Sequence, residues 1–465
     1  MVLRRVAEAM TAMNGELAAG DAEVRWSAAV LDSRKVGGGE LFFALPGEAS
    51  DGHRFVAQAL ARGAAAAVVS QAVEAPPGAT LVRVADTYAG LHALTRSVRE
   101  SVPKQLVGIT GSVGKTTTKE LLAGMLGRRF RVAKSPGNLN NLYGFPLALL
   151  GAPDDTEWMV AELGMSTPGE LREISRLARP DVAVFTSIQP VHLEFFGSIE
   201  AIAEAKAELL EGLAPDGLIV ANVDDPQVER IVRRYAATQP VRVVWFGSGA
   251  GAEVTAARLE TMAEGAGSSF ELRFGDLRQP IELPLLGRHN VENFLAAAAC
   301  ALTLGVSGED IAAAAALAQP AAGRGVVHRL RRGVTLVDDS YNSNPTAVRR
   351  ALAAAALIPA KRHWAVLGDM LELGETAPAL HRESGAEAAR LGFSPVFGVG
   401  ALARNLVEGA GAEGEWCENA AVAAERAIGE LQEGDLVLVK GSRGVGLEVV
   451  VQALRNAVAG RGGPR

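Results

Sequence analysis

The chain reads as an α/β protein of three domains with mostly parallel sheets, and three observations predict this. Short apolar runs alternate with helical patterns along nearly the whole length, the order that a doubly wound sheet with crossover helices requires. At 465 residues the chain has room for about three domains of ~150 residues, each able to bury its own core. Its 52 glycines and 21 prolines are scattered as punctuation with no repeat of fixed period, so compact units are expected and not a solenoid or a linker-rich array.

In order, the runs Leu41 to Leu45, Ala65 to Val69 and Thr80 to Val84 between polar loops predict a small α/β domain over residues 1–84. From Tyr88, Leu91, Leu94 and Val98 at helical spacing lead through Pro103 into a strand Leu106 to Thr110. Further strands are expected at Met159 to Ala161, Val182 to Thr186 and Leu218 to Asn222. Residues 241–286 change to closely spaced strand-like segments with Gly-rich turns, a small antiparallel addition, and an alanine-rich helix Val291 to Leu304 follows. These make a central domain over 85–319. The pattern breaks near Gln319 to Gly325 and resumes with strands Val334 to Val337, Trp364 to Leu367, Val396 to Val399 and Leu436 to Val439. That block, 320–465, is a third α/β domain.

Composition removes several functions. The net charge is −7 and aromatics are 5%, so the basic surplus that a nucleic-acid backbone demands is absent. Cys300 and Cys417 are the only cysteines, which excludes a disulfide framework or a thiolate metal cluster and points to a reducing cytoplasm. The start, MVLRRVAEAMTAMNGEL, carries basic residues without a continuous apolar stretch, and no run of about 18 apolar residues occurs, so neither secretion nor membrane insertion is expected.

The chemistry begins at Gly111-Ser112-Val113-Gly114-Lys115-Thr116-Thr117, directly after a strand and before a helix bearing Leu121, Leu122, Met125 and Leu126. Glycines let backbone N–H groups turn toward phosphate oxygens and the helix start adds its positive end. Lys115 reaches the terminal phosphates and Thr116 can ligate Mg²⁺. Position 109 is Ile and not Gly, so the loop follows a T-G-[ST]-x-G-K-[TS] form. Guanine recognition would need Asn-Lys-x-Asp; Asn222-Val223-Asp224-Asp225 lacks the Lys, which favours ATP. Glu162 closes a strand where a doubly wound sheet meets its ligand, and can hold Mg²⁺ beside Thr116; read alone it is also an ordinary strand-end carboxylate. His192 and Lys206, each by itself, read equally well as a hydrogen-bonded histidine and a solvated helix lysine.

Ten ordered strings cover nearly the whole chain: TGSVGKTTTKE, GNLNNLYGFP, AELGMSTPGE, HLEFFGS, AKAELL, GRHNVEN, GR at Arg324, DDSYNSNP, LGDMLELGE and VKGSR. Together they resemble the Mur ligases, with Asp338 to Pro345 and LGDMLELGE carrying the finer likeness to the D-Ala-D-Ala-adding branch. Ser187 and Ser166-Thr167 depart from the family's more usual Asn and Ala-Asn, away from catalytic positions.

That resemblance implies a UDP-binding N-terminal domain, a central ATPase domain and a Rossmann-like C-terminal domain that closes over the site. It implies ATP-dependent, ADP-forming joining of D-Ala-D-Ala to UDP-N-acetylmuramoyl-tripeptide through an acyl phosphate, in peptidoglycan synthesis. By the same resemblance Ser33, Arg34, Asp51, His53, Asn138 and Asn140 handle the UDP-muramoyl end, and Asn290 and Asn293 face adenine. Arg324 and Asp339 come onto phosphate and nucleotide; Asn342, Asn344, Lys440, Ser442 and Arg443 lie on the dipeptide side. Two Mg²⁺ ions are implied, one at Thr116 and Glu162, the other at Glu162, His192 and a Lys206 carbamylated by CO₂. Turn-forming, helix-capping and solvated-loop readings stay open for several of these residues. The expected partners are small molecules, with the chain acting as a monomer. The alternatives are another Mur-type amino-acid ligase or a folylpolyglutamate synthase-like ligase, separable by ADP release with a panel of amino acids and dipeptides, and a non-catalytic nucleotide-gated binding protein.

Overall fold

The computed structural model describes residues 4–459 apart from 48–49, 75, 102–103, 192 and 266. The chain divides into two compact units, one of residues 1–110, 129–183 and 207–218, the other of 111–128, 184–206 and 219–465.

In the first unit a five-stranded sheet has the order Glu16–Ala19, Leu81–Arg83, Ala66–Val69, Leu41–Phe43, Ala29–Val30. Only the first pairing is antiparallel. Phe42 faces one core with Ala67 and Val36, while Leu41 and Phe43 face another with Val68, Leu91 and Leu94. Covering on both faces is why these short strands read as continuous apolar runs. The predicted helix at Leu91 is Thr87–Ser101. The same unit holds three parallel strands, Gln105–Thr110 beside Trp158–Glu162 beside Val132–Lys134. The expected strand at Met159 thus runs through Glu162, which pairs with Ile109 and is its last residue.

In the second unit Val254–Thr261, Ser268–Phe274 and Leu277–Leu283 form the antiparallel addition expected at 241–286, and Arg242–Phe246 joins it in parallel at Phe246 and Val254. The alanine-rich helix is Arg288–Thr303 with Gly287 as its N-cap, so Asn290 lies inside the first turn and does not cap.

The C-terminal sheet has the order Val326–Arg329, Thr335–Asp339, Asp435–Lys440, Arg362–Gly368, Phe393–Val399, Gly414–Cys417, parallel after the first pair. Period-two alternation sends Leu436, Leu438 and Leu367 to a core under helices Pro345–Ala356, Ala377–Arg390 and Ala403–Ala410, and Val437, Val439 and Trp364 to a core under Ala420–Glu430 and Glu448–Ala459. Asp339 and Lys440 are the last residues of adjacent parallel strands, the end at which open α/β sheets bind ligands. Among the described residues no helix is long and apolar enough to cross a membrane.

Candidate functional site

The Gly111–Thr117 loop is shaped by two glycines that no other residue could replace without rearrangement. Gly111 has φ +150°, and a Cβ there would stand 1.9 Å from Thr186 Oγ1; Gly114 has φ +89°, and its Cβ would stand 2.2 Å from Asn293 Oδ1. Thr186 Oγ1 donates to the Val113 carbonyl (2.7 Å), and Ser112 N–H donates to the Ser187 carbonyl (2.7 Å). Ser112 Oγ donates to the Gln189 carbonyl (3.0 Å) and accepts from Gln189 N–H (2.9 Å). These bonds brace the loop from behind. Helix Lys115–Leu126 starts at once, and Lys115 Nζ donates to the Gly111 carbonyl (2.8 Å), folded back across the loop.

Asn293 Nδ2 donates to Asn290 Oδ1 (3.0 Å), and Asn290 Nδ2 donates to the Leu286 carbonyl (2.8 Å). The pair expected at adenine is thus a hydrogen-bonded chain that ends against Gly114. Beside the helix a cavity of about 420 Å³ is lined by Thr117, Glu120, Leu121, Leu285, Leu317 and Ala321. Asp225, which caps helix Pro226–Ala236, also accepts from Ile188 N–H (2.7 Å), and burial raises its pKa against these bonds.

At the C-terminal sheet's ligand end Lys440 Nζ donates to Asp339 (2.6 Å) and to the Asn342 carbonyl (2.9 Å). Burial raises the Asp339 pKa, while Lys440 and Arg324 oppose the rise. Ser442 Oγ accepts from Leu371 N–H (3.0 Å), and Asn344 caps helix Pro345–Ala356 by accepting from Ala347 N–H (2.9 Å). Arg324 and Arg443 both stand over the Tyr341 ring. Arg324 and Asp339, expected on phosphate and nucleotide, and Asn342, Lys440 and Arg443, expected on the dipeptide side, gather in one place, whereas Asn344 serves a helix cap.

In the first unit Glu162 is buried; it accepts from Asn140 Nδ2 (2.9 Å), and its N–H donates to Ser135 Oγ (3.1 Å). Asn140, expected at the UDP-substrate, is thus the carboxylate's partner. Asn138 is exposed and its carbonyl accepts from Asn140 N–H (2.8 Å). A second cavity, about 490 Å³, is lined by Asp32, Ser33, Arg34, Ser50, Phe55 and Gln58. Ser33 Oγ donates to Gln58 (2.8 Å), and Arg34 is exposed beside Asp32, whose pKa the guanidinium lowers to about 2. His53 is turned inward. Its Nδ1 lies 2.7 Å from Asp51 Oδ1 and its Nε2 accepts from Ser70 N–H (3.0 Å), so the ring proton sits on Nδ1 and the residue ties turn Gly52–Phe55 to the end of a strand. The His53 N–H and ring together lower the Asp51 pKa.

Lys206 is buried on helix Ile199–Ala207 in the second unit, and His192 lies outside the described residues. Among the described residues no three His, Cys, Asp or Glu side chains cluster as a ligand set. Mg²⁺ takes one or two protein oxygens and completes its shell from phosphate and water; Thr116 in the second unit and Glu162 in the first each carry an oxygen of that kind. Sequence reasoning passed over Thr186, Gln189 and Tyr341. The first two act only through tertiary contact with the loop, while Tyr341 sat in a quoted string without being given a role.

The model of the Mur ligase middle domain matches residues 109–301, that of the Mur ligase glutamate ligase domain 323–443, and that of the Mur ligase family catalytic domain 28–97. The UDP-N-acetylmuramoyl-tripeptide–D-alanyl-D-alanine ligase of Bacillus subtilis (strain 168) is 34% identical over 430 residues, covering 91% of this chain and 92% of that protein. The ligase of the same name from Escherichia coli (strain K12) is 33% identical over 446 residues, covering 95% and 96%. Among solved structures, MurF from Acinetobacter baumannii superimposes with TM-score 0.87 at 31% identity over 98% of this chain and 100% of that one. MurF ligase from Thermotoga maritima in complex with ADP gives 0.81 at 29%, over 93% and 98%.

Proposed function

Since this chain belongs to the Mur ligase family, we propose that it joins D-Ala-D-Ala to UDP-N-acetylmuramoyl-tripeptide with ATP, producing the pentapeptide precursor for peptidoglycan, ADP and phosphate. The observation that carries this reading is the braced loop Gly111–Thr117, whose two glycines leave no room for side chains and so present backbone to an anion. The likeness to ligases of that name over 91% and 95% of the chain supports the choice of substrates.

A carboxylate is a poor acylating agent at neutral pH, so the γ-phosphoryl group of ATP first moves to it, giving an acyl phosphate and ADP. The dipeptide amine then attacks the carbonyl carbon, and phosphate leaves from the tetrahedral intermediate. The residues position and neutralise. Lys115 leaves the Gly111 carbonyl for the phosphates, and Asn290 and Asn293, on the helix that meets Gly114, face the adenine. The cavity at Ser33 and Gln58 takes the UDP end, with His53 and Asp51 shaping its wall from behind. Arg324 neutralises phosphoryl oxygens, and Arg443 faces the dipeptide. Bound Mg²⁺ would draw anionic carboxylate and phosphoryl group together, held by Thr116 and Glu162, with a second ion at Glu162, His192 and a carbamylated Lys206. The chain works as a cytoplasmic monomer.

The test is phosphate release with the lysine-containing and the diaminopimelate-containing UDP-tripeptide, each with and without D-Ala-D-Ala. Release that requires one tripeptide and the dipeptide together is expected. Release that follows a single amino acid in place of the dipeptide would reassign the chain to another branch of the family.

A further inference from the structure

Around the ends of strands Thr335–Asp339 and Asp435–Lys440 the charges do not all find partners. Lys440 is taken up by Asp339 and the Asn342 carbonyl, and Asp338 accepts from Ser340 Oγ (2.6 Å) and Ser340 N–H (3.2 Å). Arg324 and Arg443 remain. Neither forms an ion pair with a carboxylate among the described residues; instead their guanidinium carbons stand 4.3 and 5.0 Å from the centroid of one ring, Tyr341.

Two like charges at a single aromatic ring repel each other. The ring's quadrupole attracts each cation, but it does not cancel the repulsion between them as an anion would. The backbone that carries the ring is anchored: Tyr341 N–H donates to the Gly323 carbonyl (3.0 Å), next to Arg324, and a Cβ on Gly323 would stand 3.1 Å from Tyr341 N. Arg443 follows Ser442, whose hydroxyl and N–H are bound to Leu371 and Asp369. The arrangement thus holds two cations at one ring: Arg324 acts on Asp339 only through space, and Arg443 has no carboxylate at ion-pair distance among the described residues.

We propose that Tyr341 is a positioning residue whose ring holds Arg324 and Arg443 as a pair. The substrates complete the pair: the terminal carboxylate of the incoming dipeptide at Arg443 and phosphoryl oxygens at Arg324. This rests on the ligase reading above and adds to it the residue that orders the two arginines. The phenolic hydroxyl has no part in it.

The experiment compares D-Ala-D-Ala with its C-terminal amide, by phosphate release, in the full-length wild type, Tyr341→Phe, Tyr341→Leu and Arg443→Gln. Tyr341→Phe keeps the ring and should stay within about twofold of wild type. Tyr341→Leu should raise KM for D-Ala-D-Ala about tenfold, shrink the preference for acid over amide by a like factor, and leave KM for the UDP-tripeptide unchanged. Arg443→Gln should erase the acid-over-amide preference, a reading that does not depend on Tyr341→Leu folding. An undiminished preference in Arg443→Gln or in folded Tyr341→Leu overturns the proposal. So does a Tyr341→Phe enzyme as impaired as Tyr341→Leu, since the hydroxyl would then be the working part. A wild type that releases no phosphate with either compound refutes the ligase reading itself, and with it this assignment of the counter-charge.

Discussion

Lys206 carries a chemical conflict in a single side chain. Its ammonium group is buried on helix Ile199–Ala207, in the segment proposed above to support a second metal, and a cation there would repel that ion. A carbamate made with CO₂ turns the same side chain into an anionic oxygen ligand. Lys206→Ala should therefore lose most activity and recover part of it with acetate or formate, which place a carboxylate in the vacated space. Lys206→Arg should fail as well, because Arg keeps its charge and forms no carbamate. Near-normal turnover by Lys206→Arg at saturating ATP and Mg²⁺ refutes the modification. At the loop, Lys115→Ala should abolish turnover and leave UDP-tripeptide binding intact by calorimetry, since the cavity at Ser33 and Gln58 belongs to the first unit and the loop to the second. Equal loss of binding would break that separation. Residues of this kind were legible because the loop is local: strand, two glycines, Lys and Thr lie consecutively. Thr186, which occupies the space beside Gly111, is 75 positions away in sequence and joins the site only through folding.

Elements were legible where burial is two-sided and less so where it is not. Leu218–Asn222 has the bounds its sequence predicts, an apolar run closed by one asparagine, whereas Val132–Lys134, partly exposed along its length, has no such run to announce it. Three C-terminal strands, Thr335–Asp339, Arg362–Gly368 and Asp435–Lys440, run on past their apolar stretch, because Asp339, Arg362, Asp435 and Lys440 stay in the ladder while making polar contacts. Arg362 and Asp435 are register partners on parallel strands, and Asp435 accepts from Arg362 Nε (3.1 Å) and Nη2 (2.8 Å), Trp364 Nε1 (3.0 Å) and Gln432 N–H (2.8 Å). Burial pushes the Asp435 pKa up, but these donors outweigh it and the net shift is downward. A lowered carboxylate pKa adds stability that is complete above the unfolded value, near 4, and is lost as pH falls through the folded one. Arg362→Met leaves the carboxylate buried without its bidentate partner, so ionisation becomes unfavourable in the folded state. The variant should be less stable by about 3 kcal/mol at pH 7, and the gap should close as pH falls through the lowered folded pKa of Asp435, below the unfolded value. Thermal unfolding across that range checks the sign; a gap independent of pH would mean that Arg362 acts through packing alone.

At the scale of the whole molecule, the two cysteines report separately on two cores. Cys300 lies on the helix that also carries Asn290 and Asn293, and Cys417 ends an outer strand of the C-terminal sheet; both are buried, and burial raises both thiol pKa values. A buried thiol with a raised pKa reacts only when its surroundings open, so labelling measures that opening. The native protein should show no fast thiol, and both should react in denaturant. A ligand that binds only the closed form slows opening by the factor 1 + [L]/Kd, about a hundredfold at one hundred times Kd. A non-hydrolysable ATP analogue bound at the loop should slow Cys300 to that extent, since Asn293 presses on Gly114 through the same helix. Cys417 should slow far less. Its sheet has a core on each face built from its own helices and can open without the loop. Equal slowing of both thiols would show that the second unit opens as a single cooperative body, and the separate C-terminal core would then have no independent stability.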